Sequence, residues 1–149
     1  TTYNRTGTLW EGRFKSSLVD SDEYLLQVYQ YIELNPVRAK MVDHPKDYGW
    51  SSYHANGGDK NIAMIEPHSL YLSLGIDAES RKLAYNRLLD NSLSKELLNK
   101  IRLSINKSRV LGDDKFVKQI SAKLERFAGY LEHGGDRRSE EFKEWFQRI

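Results

Sequence analysis

Cysteine is absent from the 149 residues, which rules out disulfide staples and thiolate zinc sites and suits a reducing compartment. Nowhere does the chain hold the run of about 18 apolar residues that a membrane-spanning helix needs. No basic-plus-apolar leader opens it. It begins Thr1-Thr2 without a methionine, so the natural start is expected upstream. Histidines are scarce: His44, His54, His68 and His133 stand alone, and none has another two residues on. A His-x-His metal pair is therefore missing. Proline occurs three times, and there is neither an internal repeat nor a low-complexity tract.

What remains is enough for one full domain or two small ones. Apolar residues make up 39% of the chain and charged residues 30%, with a mean hydropathy of −0.68. The formal charge of +2 is unevenly spread. Between Arg81 and Val110 eight basic residues face two acidic ones, a local +6, whereas the first sixty residues hold seven basic and eight acidic. A basic stripe of this kind suits nucleic acid, and equally a solvated helix face.

Hydrophobic periodicity predicts a mainly α-helical chain with one or two strands. Leu9 to Val19 alternates, with Trp10, Phe14 and Leu18 on one face and Glu11, Arg13 and Lys15 on the other, which predicts a strand. An orphan strand exposes its hydrogen-bonding edge, so this one is expected to pair with a second copy of the chain or to be covered by later helices. Asp20 to Glu23 is a helix start, with a cap and acids in the first turn. The helix is expected from Asp22 to Asn35, burying Leu25, Val28, Tyr29 and Ile32. Pro36 should end it, and a short helix over Val37 to Val42 follows. Asp43 to Lys60 reads as a loop pinned by Tyr48, Trp50 and Tyr53, with Trp10 and Trp50 taken as core. Asn56 to Lys60 is the natural boundary between a region 1–56 and a helical region 61–149. Further helices are expected over Glu66–Leu74, Ala78–Leu89, Lys95–Asn106, Asp113–Phe127 and Ser139–Arg148.

One stretch invites chemistry. In Tyr31-Ile32-Glu33-Leu34-Asn35-Pro36-Val37-Arg38-Ala39, a helical wheel sets Gln27, Tyr31, Asn35 and Arg38 together beside the expected core stripe. A phenol, two amides and a guanidinium then flank one helix edge. Arginine matches phosphate with its planar fork. A phenol is a weak nucleophile at its usual pKa of about 10 and needs a cation or base nearby. With nine tyrosines present, packing alone would explain most of them.

Three blocks give Tyr31 more weight. Gly7-Thr8-Leu9-Trp10-Glu11-Gly12-Arg13-Phe14-Lys15-Ser16, the Tyr31–Ala39 stretch, and Trp50-Ser51-Ser52-Tyr53 resemble the second half of the IS200-like transposase domain, and within it the REP-associated tyrosine transposases. The likeness covers roughly residues 3 to 55. Leu111 to Phe116 is similar to a segment downstream in longer members. The resemblance implies a ferredoxin-like α/β domain followed by a helical domain. It implies that Tyr31 attacks a phosphodiester of single-stranded or hairpin repeat-end DNA, forming a 5′-phosphotyrosine and freeing a 3′-hydroxyl. It implies a divalent metal, Mg²⁺, held by a His-x-His pair and by a third ligand at the position of Asn35, where relatives carry glutamine. A cytoplasmic, nucleoid-associated prokaryotic enzyme follows, in which this chain is the C-terminal part and is inactive alone.

Arg13, Lys15 and Arg38 are candidate DNA contacts, as are Lys100, Arg102, Lys107 and Arg109 in the basic stripe. The alternative is a non-catalytic helical module that holds DNA through that stripe, or a structural helical domain whose charges only solvate it.

Overall fold

Side-chain caps decide where the helices start. In the computed structural model, which describes residues 14–125 and 128–129, seven α-helices and a single 3-10 turn carry the regular structure. They are α1 (Ser21–Glu33), α2 (Asn35–Arg38), the 3-10 turn Pro45–Asp47, α3 (Tyr53–Asn56), α4 (Ser69–Leu72), α5 (Ala78–Asp90), α6 (Lys95–Lys107) and α7 (Asp114–Leu124). Asp20 caps α1, Ser94 caps α6 and Asp113 caps α7, each accepting a backbone N–H of the first turn. At α5, Asp77 and Ser80 form a reciprocal capping box. Helices α6 and α7 both end on a left-handed residue, Ser108 and Glu125. None of the helices is long and apolar enough to cross a membrane, among the described residues.

The chain is therefore mainly α, as its periodicity predicts, but the expected strand is not formed in its described part. Residues 14–18 belong to no strand, and Val19 makes a single parallel bridge to Leu111. Phe14 is 90% exposed and Leu18 51%, so these two positions pack against no sheet or helix among the described residues. The segment is clasped instead by the α6–α7 connection. Leu111 N–H donates to Leu18 O at 2.8 Å, Asp20 N–H donates to Leu111 O at 2.8 Å, and Ser17 Oγ donates to Arg109 O. The stretch from Leu9 to Arg13 lies outside the described residues, as does the expected helix Ser139–Arg148.

Proline acts less abruptly than expected. It removes one N–H, so α1 ends at Glu33, yet Arg38 N–H still reaches Leu34 O at 2.9 Å. Pro36 sits in the first turn of α2, where its fixed φ is suited to helix. The short helix thus begins at Asn35 rather than at Val37.

Helix α1 lies between two seams of opposite character. Tyr24, Val28 and Tyr31, spaced four and three apart, pack with Leu97, Ile101 and Ile105 of α6 and with Val19, Leu93 and Leu111. The opposite face carries Gln30 and Glu33 into a buried polar seam. Glu33 has no solvent exposure. Its Oε1 accepts from Ser52 Oγ at 2.6 Å and from Tyr85 Oη at 3.3 Å. Gln30 Nε2 donates to Leu88 O at 2.7 Å and to Asn91 O, binding carbonyls at the end of α5. Tyr71 Oη donates to Asn56 O at 2.7 Å, and Tyr53 Oη to Asn86 Oδ1 at 3.0 Å. These bonds run across the Asn56–Lys60 segment. The buried stripe of α1 is therefore rotated from the expected one: Ile32 is 49% exposed, and Tyr24 and Glu33 are inside.

Two outcomes are expected. Glu33→Ala leaves the Tyr85 hydroxyl buried without its acceptor and should cost about 1–3 kcal/mol in urea unfolding. Ile32→Ala, on the exposed side, should change stability by roughly 0.5 kcal/mol or less. The Asp77 carboxyl is held below its ordinary pKa by the Ser80 backbone N–H and hydroxyl that bond it. A depressed folded pKa stabilises above the unfolded value, and the gain is lost as pH falls through the folded value. The stability advantage of the wild type over Asp77→Ala should accordingly be present at neutral pH and shrink on acidification below the usual aspartate range.

Candidate functional site

The phenol stripe on α1 and the kinked start of α2 bring Tyr31 and Arg38 together. The Arg38 guanidinium lies over the Tyr31 ring, 4.7 Å from its centroid, and Nη2 donates to Tyr31 O. Burial draws Arg38 below its ordinary pKa. The Tyr31 phenol opposes this, and Arg102 on α6 adds to it. Helix α6 turns Ile101 into the apolar seam, and the next residue, Arg102, is exposed. Among the described residues neither arginine is ion-paired to a carboxylate. Arg38 Nε is buried without an acceptor, and Gln27 Oε1, one turn before Tyr31, is buried without a donor. Orphaned buried polar atoms are uncommon and call for an explanation.

Tyr31 is set apart from most of its fellow tyrosines. Tyr24 Oη accepts from Lys100 Nζ at 2.7 Å. The hydroxyls of Tyr53, Tyr71 and Tyr85 all donate within the polar seam. Burial raises the pKa of these three; neighbouring Glu33 raises Tyr53 and Tyr85 further, whereas Arg81 and Lys82 pull Tyr71 back. They are poorer nucleophiles for it. The half-buried Tyr31 packs its ring on the α6 seam, and its hydroxyl, bonded to none of the described residues, is open to solvent. Tyr29 and Tyr48 also lack a hydroxyl bond among the described residues, but no guanidinium overlies their rings.

The other predicted residues scatter. Asn35 is exposed and lines a groove with Ile32, Pro36 and Trp50. Lys15 Nζ reaches Asn106 Oδ1 at 3.4 Å on the surface. Lys100 lies 4.5 Å from the Tyr24 ring centroid, so its charge is committed internally. Lys107 closes α6 and Arg109 sits in the clasp beside Ser17. Arg13 lies outside the described residues.

Trp50 corrects a second expectation. It was taken as core, and it is 90% exposed; Gly49 and two serines around it signal a turn rather than a buried strand. Glu33 went unnoticed because hydrophobic patterning assigns carboxylates to the surface. The donor-rich Ser51-Ser52-Tyr53 run is the one signal that could have paired with it.

A divalent cation does not fit the described residues around Asn35. They offer one amide and the Ser51 hydroxyl among apolar groups. No cluster of three His, Asp or Glu able to hold a metal exists among the described residues. Hard cations prefer several oxygen ligands, so no chemical step is routed through a metal here.

Comparison with known proteins finds no matching family model, no matching curated protein and no matching solved structure.

Arg38 is expected to bind oxyanions. At constant ionic strength, phosphate should raise the Tm of the wild type more than that of Arg38→Ala. Equal shifts in thermal unfolding would remove the anion site.

Proposed function

We propose that this chain is the tyrosine-bearing part of a DNA transposase of the IS200-like, REP-associated kind, built as a remnant of a ferredoxin-like domain, 1–56, followed by a helical domain, 61–149. The observation that carries the reading is the Arg38 guanidinium over the Tyr31 ring, with no carboxylate paired to it among the described residues. A guanidinium without a carboxylate partner matches a phosphate with its planar fork.

Tyr31 Oη attacks a phosphodiester phosphorus of single-stranded or hairpin DNA. A new O–P bond forms to tyrosine, and the bond from phosphorus to the 3′-oxygen breaks. The phenol proton leaves to a base or to water, and the departing 3′-oxygen takes one up. Arg38 orients the phosphate and opposes the charge that builds on its oxygens in the transition state. The relatives' Mg²⁺ belongs to this reading by resemblance, with its histidine ligands supplied by residues other than those described. Cytoplasmic, nucleoid-associated action and a dimer through the segment before α1 belong to the same proposal.

The non-catalytic alternative rests on the Arg81–Arg109 stripe, and it is the weaker one. Lys82 is paired with Asp59 and with Glu79 at 3.1 Å, and Lys100 is bonded to Tyr24. Part of that charge is already engaged within the protein.

With a hairpin oligonucleotide and Mg²⁺ supplied, the full product of the gene should form a covalent protein–DNA adduct. Tyr31→Phe should abolish it, and Arg38→Ala should slow it by about 10²–10³-fold, the scale of losing one preorganised charge-stabilising donor. An undiminished adduct in Tyr31→Phe would sink the assignment.

A further inference from the structure

Trp50 is a large aromatic side chain left 90% exposed on a segment that is otherwise firmly held. Two residues on, Ser52 is bonded to the buried Glu33 at 2.6 Å. Tyr53 is buried, and its ring meets the His44 ring edge-on at 5.7 Å. His44 Nδ1 accepts from Lys46 N–H at 3.1 Å, and the His54 ring bonds Tyr48 O at 3.2 Å. The backbone on both sides of the indole is thus anchored while the indole itself meets solvent. Preorganised aromatic surface of this kind favours binding, because little freedom is lost when a ligand arrives.

The indole borders a groove of ≈ 230 Å³ whose lining includes Ile32, Asn35, Met41, Tyr48 and Ser51. That is smaller than the roughly 300–1,000 Å³ of pockets for drug-sized ligands. None of the lining residues carries a charge. The groove therefore suits a flat, uncharged, heteroaromatic group with polar edges better than it suits a phosphate. Asn35 offers both an amide donor and an acceptor, the pattern that reads base edges. Lys40, exposed and in the left-handed region at φ 57, sits between the lining residues Ala39 and Met41. It supplies positive charge at the rim, where a strand's backbone would run.

We infer that this groove takes one unstacked nucleobase of single-stranded DNA, stacked on Trp50 with its edge toward Asn35 and Ser51. The inference rests on the reading of the chain as a DNA-cleaving protein. It adds a base-binding position to it, separate from the phosphate position at Arg38.

Fluorescence titration of the full chain tests it, with a single-stranded oligodeoxynucleotide of about ten residues and an abasic strand of equal length. The normal strand should quench tryptophan emission and the abasic strand should not. The quenching should be lost in Trp50→Phe, which the exposure of the residue allows without loss of Tm. Trp50→Ala should weaken binding of the normal strand about tenfold and leave the abasic strand unaffected, in line with the value of a base–aromatic stack. Equal affinity for the two strands, or unchanged affinity in Trp50→Ala, overturns the inference. Emission that changes with protein concentration alone, and no longer does so in Trp50→Ala, gives the groove to a second copy and also overturns it. Base-dependent quenching with no Tyr31 adduct retires the cleavage reading alone. An adduct with unchanged affinity in Trp50→Ala retires the groove alone.

Discussion

A carboxylate with no exposure to solvent holds this structure together. Glu33 closes α1, and through one oxygen it gathers the Ser52 hydroxyl at the start of α3 and the Tyr85 hydroxyl in the middle of α5. Burial of a charged group without partners is among the most costly things a fold can do. The surrounding elements are therefore fixed by the need to supply donors. Tyr53, Tyr71, Asn56 and Asn86 extend the same seam, so α3 and the turn after it are tied to α4 and α5 by polar bonds. A buried polar network specifies position sharply, because slippage would strand further groups beside Glu33 Oε2, which has no partner among the described residues.

From that constraint the rest of α1 follows. With Glu33 and Gln30 committed to one side, the helix must turn Tyr24, Val28 and Tyr31 to the other, against α6. Tyr31 is placed by the anchoring of its neighbour two residues on. The anchoring of Ser52 likewise sets where Trp50 stands. One buried side chain orients both of the aromatic residues to which function is assigned here, although it touches neither.

Much of this was legible in the sequence where local rules suffice. The starts of α5, α6 and α7 follow from Asp77, Ser94 and Asp113, because capping is decided within four residues. The pairing of Tyr31 with Arg38 was legible from their helical spacing. The facing of α1 was not, because periodicity counts apolar residues and here the second buried face is polar. The groove lined by Asn35 was not legible, because Tyr48 and Trp50 complete it from a separate loop. Alternation over Leu9–Val19 describes a two-faced segment, and nothing in it states whether a partner exists to bury one face. The electrostatic influence of Arg102 on Arg38 is a tertiary effect between α6 and α2, beyond any local pattern.

The two proposed positions on DNA meet at α2. Arg38 lies over the Tyr31 ring, and Asn35 and Pro36 line the groove. Asn35 and Arg38 are three residues apart on this single turn, a spacing that sets Cβ atoms about 5–6 Å from each other. A nucleotide can bridge that distance, with its phosphate at Arg38 and its base against the indole. A duplex cannot, since its bases are stacked inward and paired. On this proposal the arrangement selects for strands whose bases are free, as in single strands and hairpin loops, before any sequence is read. The charge pattern supports the same division. The Arg38 guanidinium is cationic and has no carboxylate partner among the described residues, whereas the groove lining is uncharged.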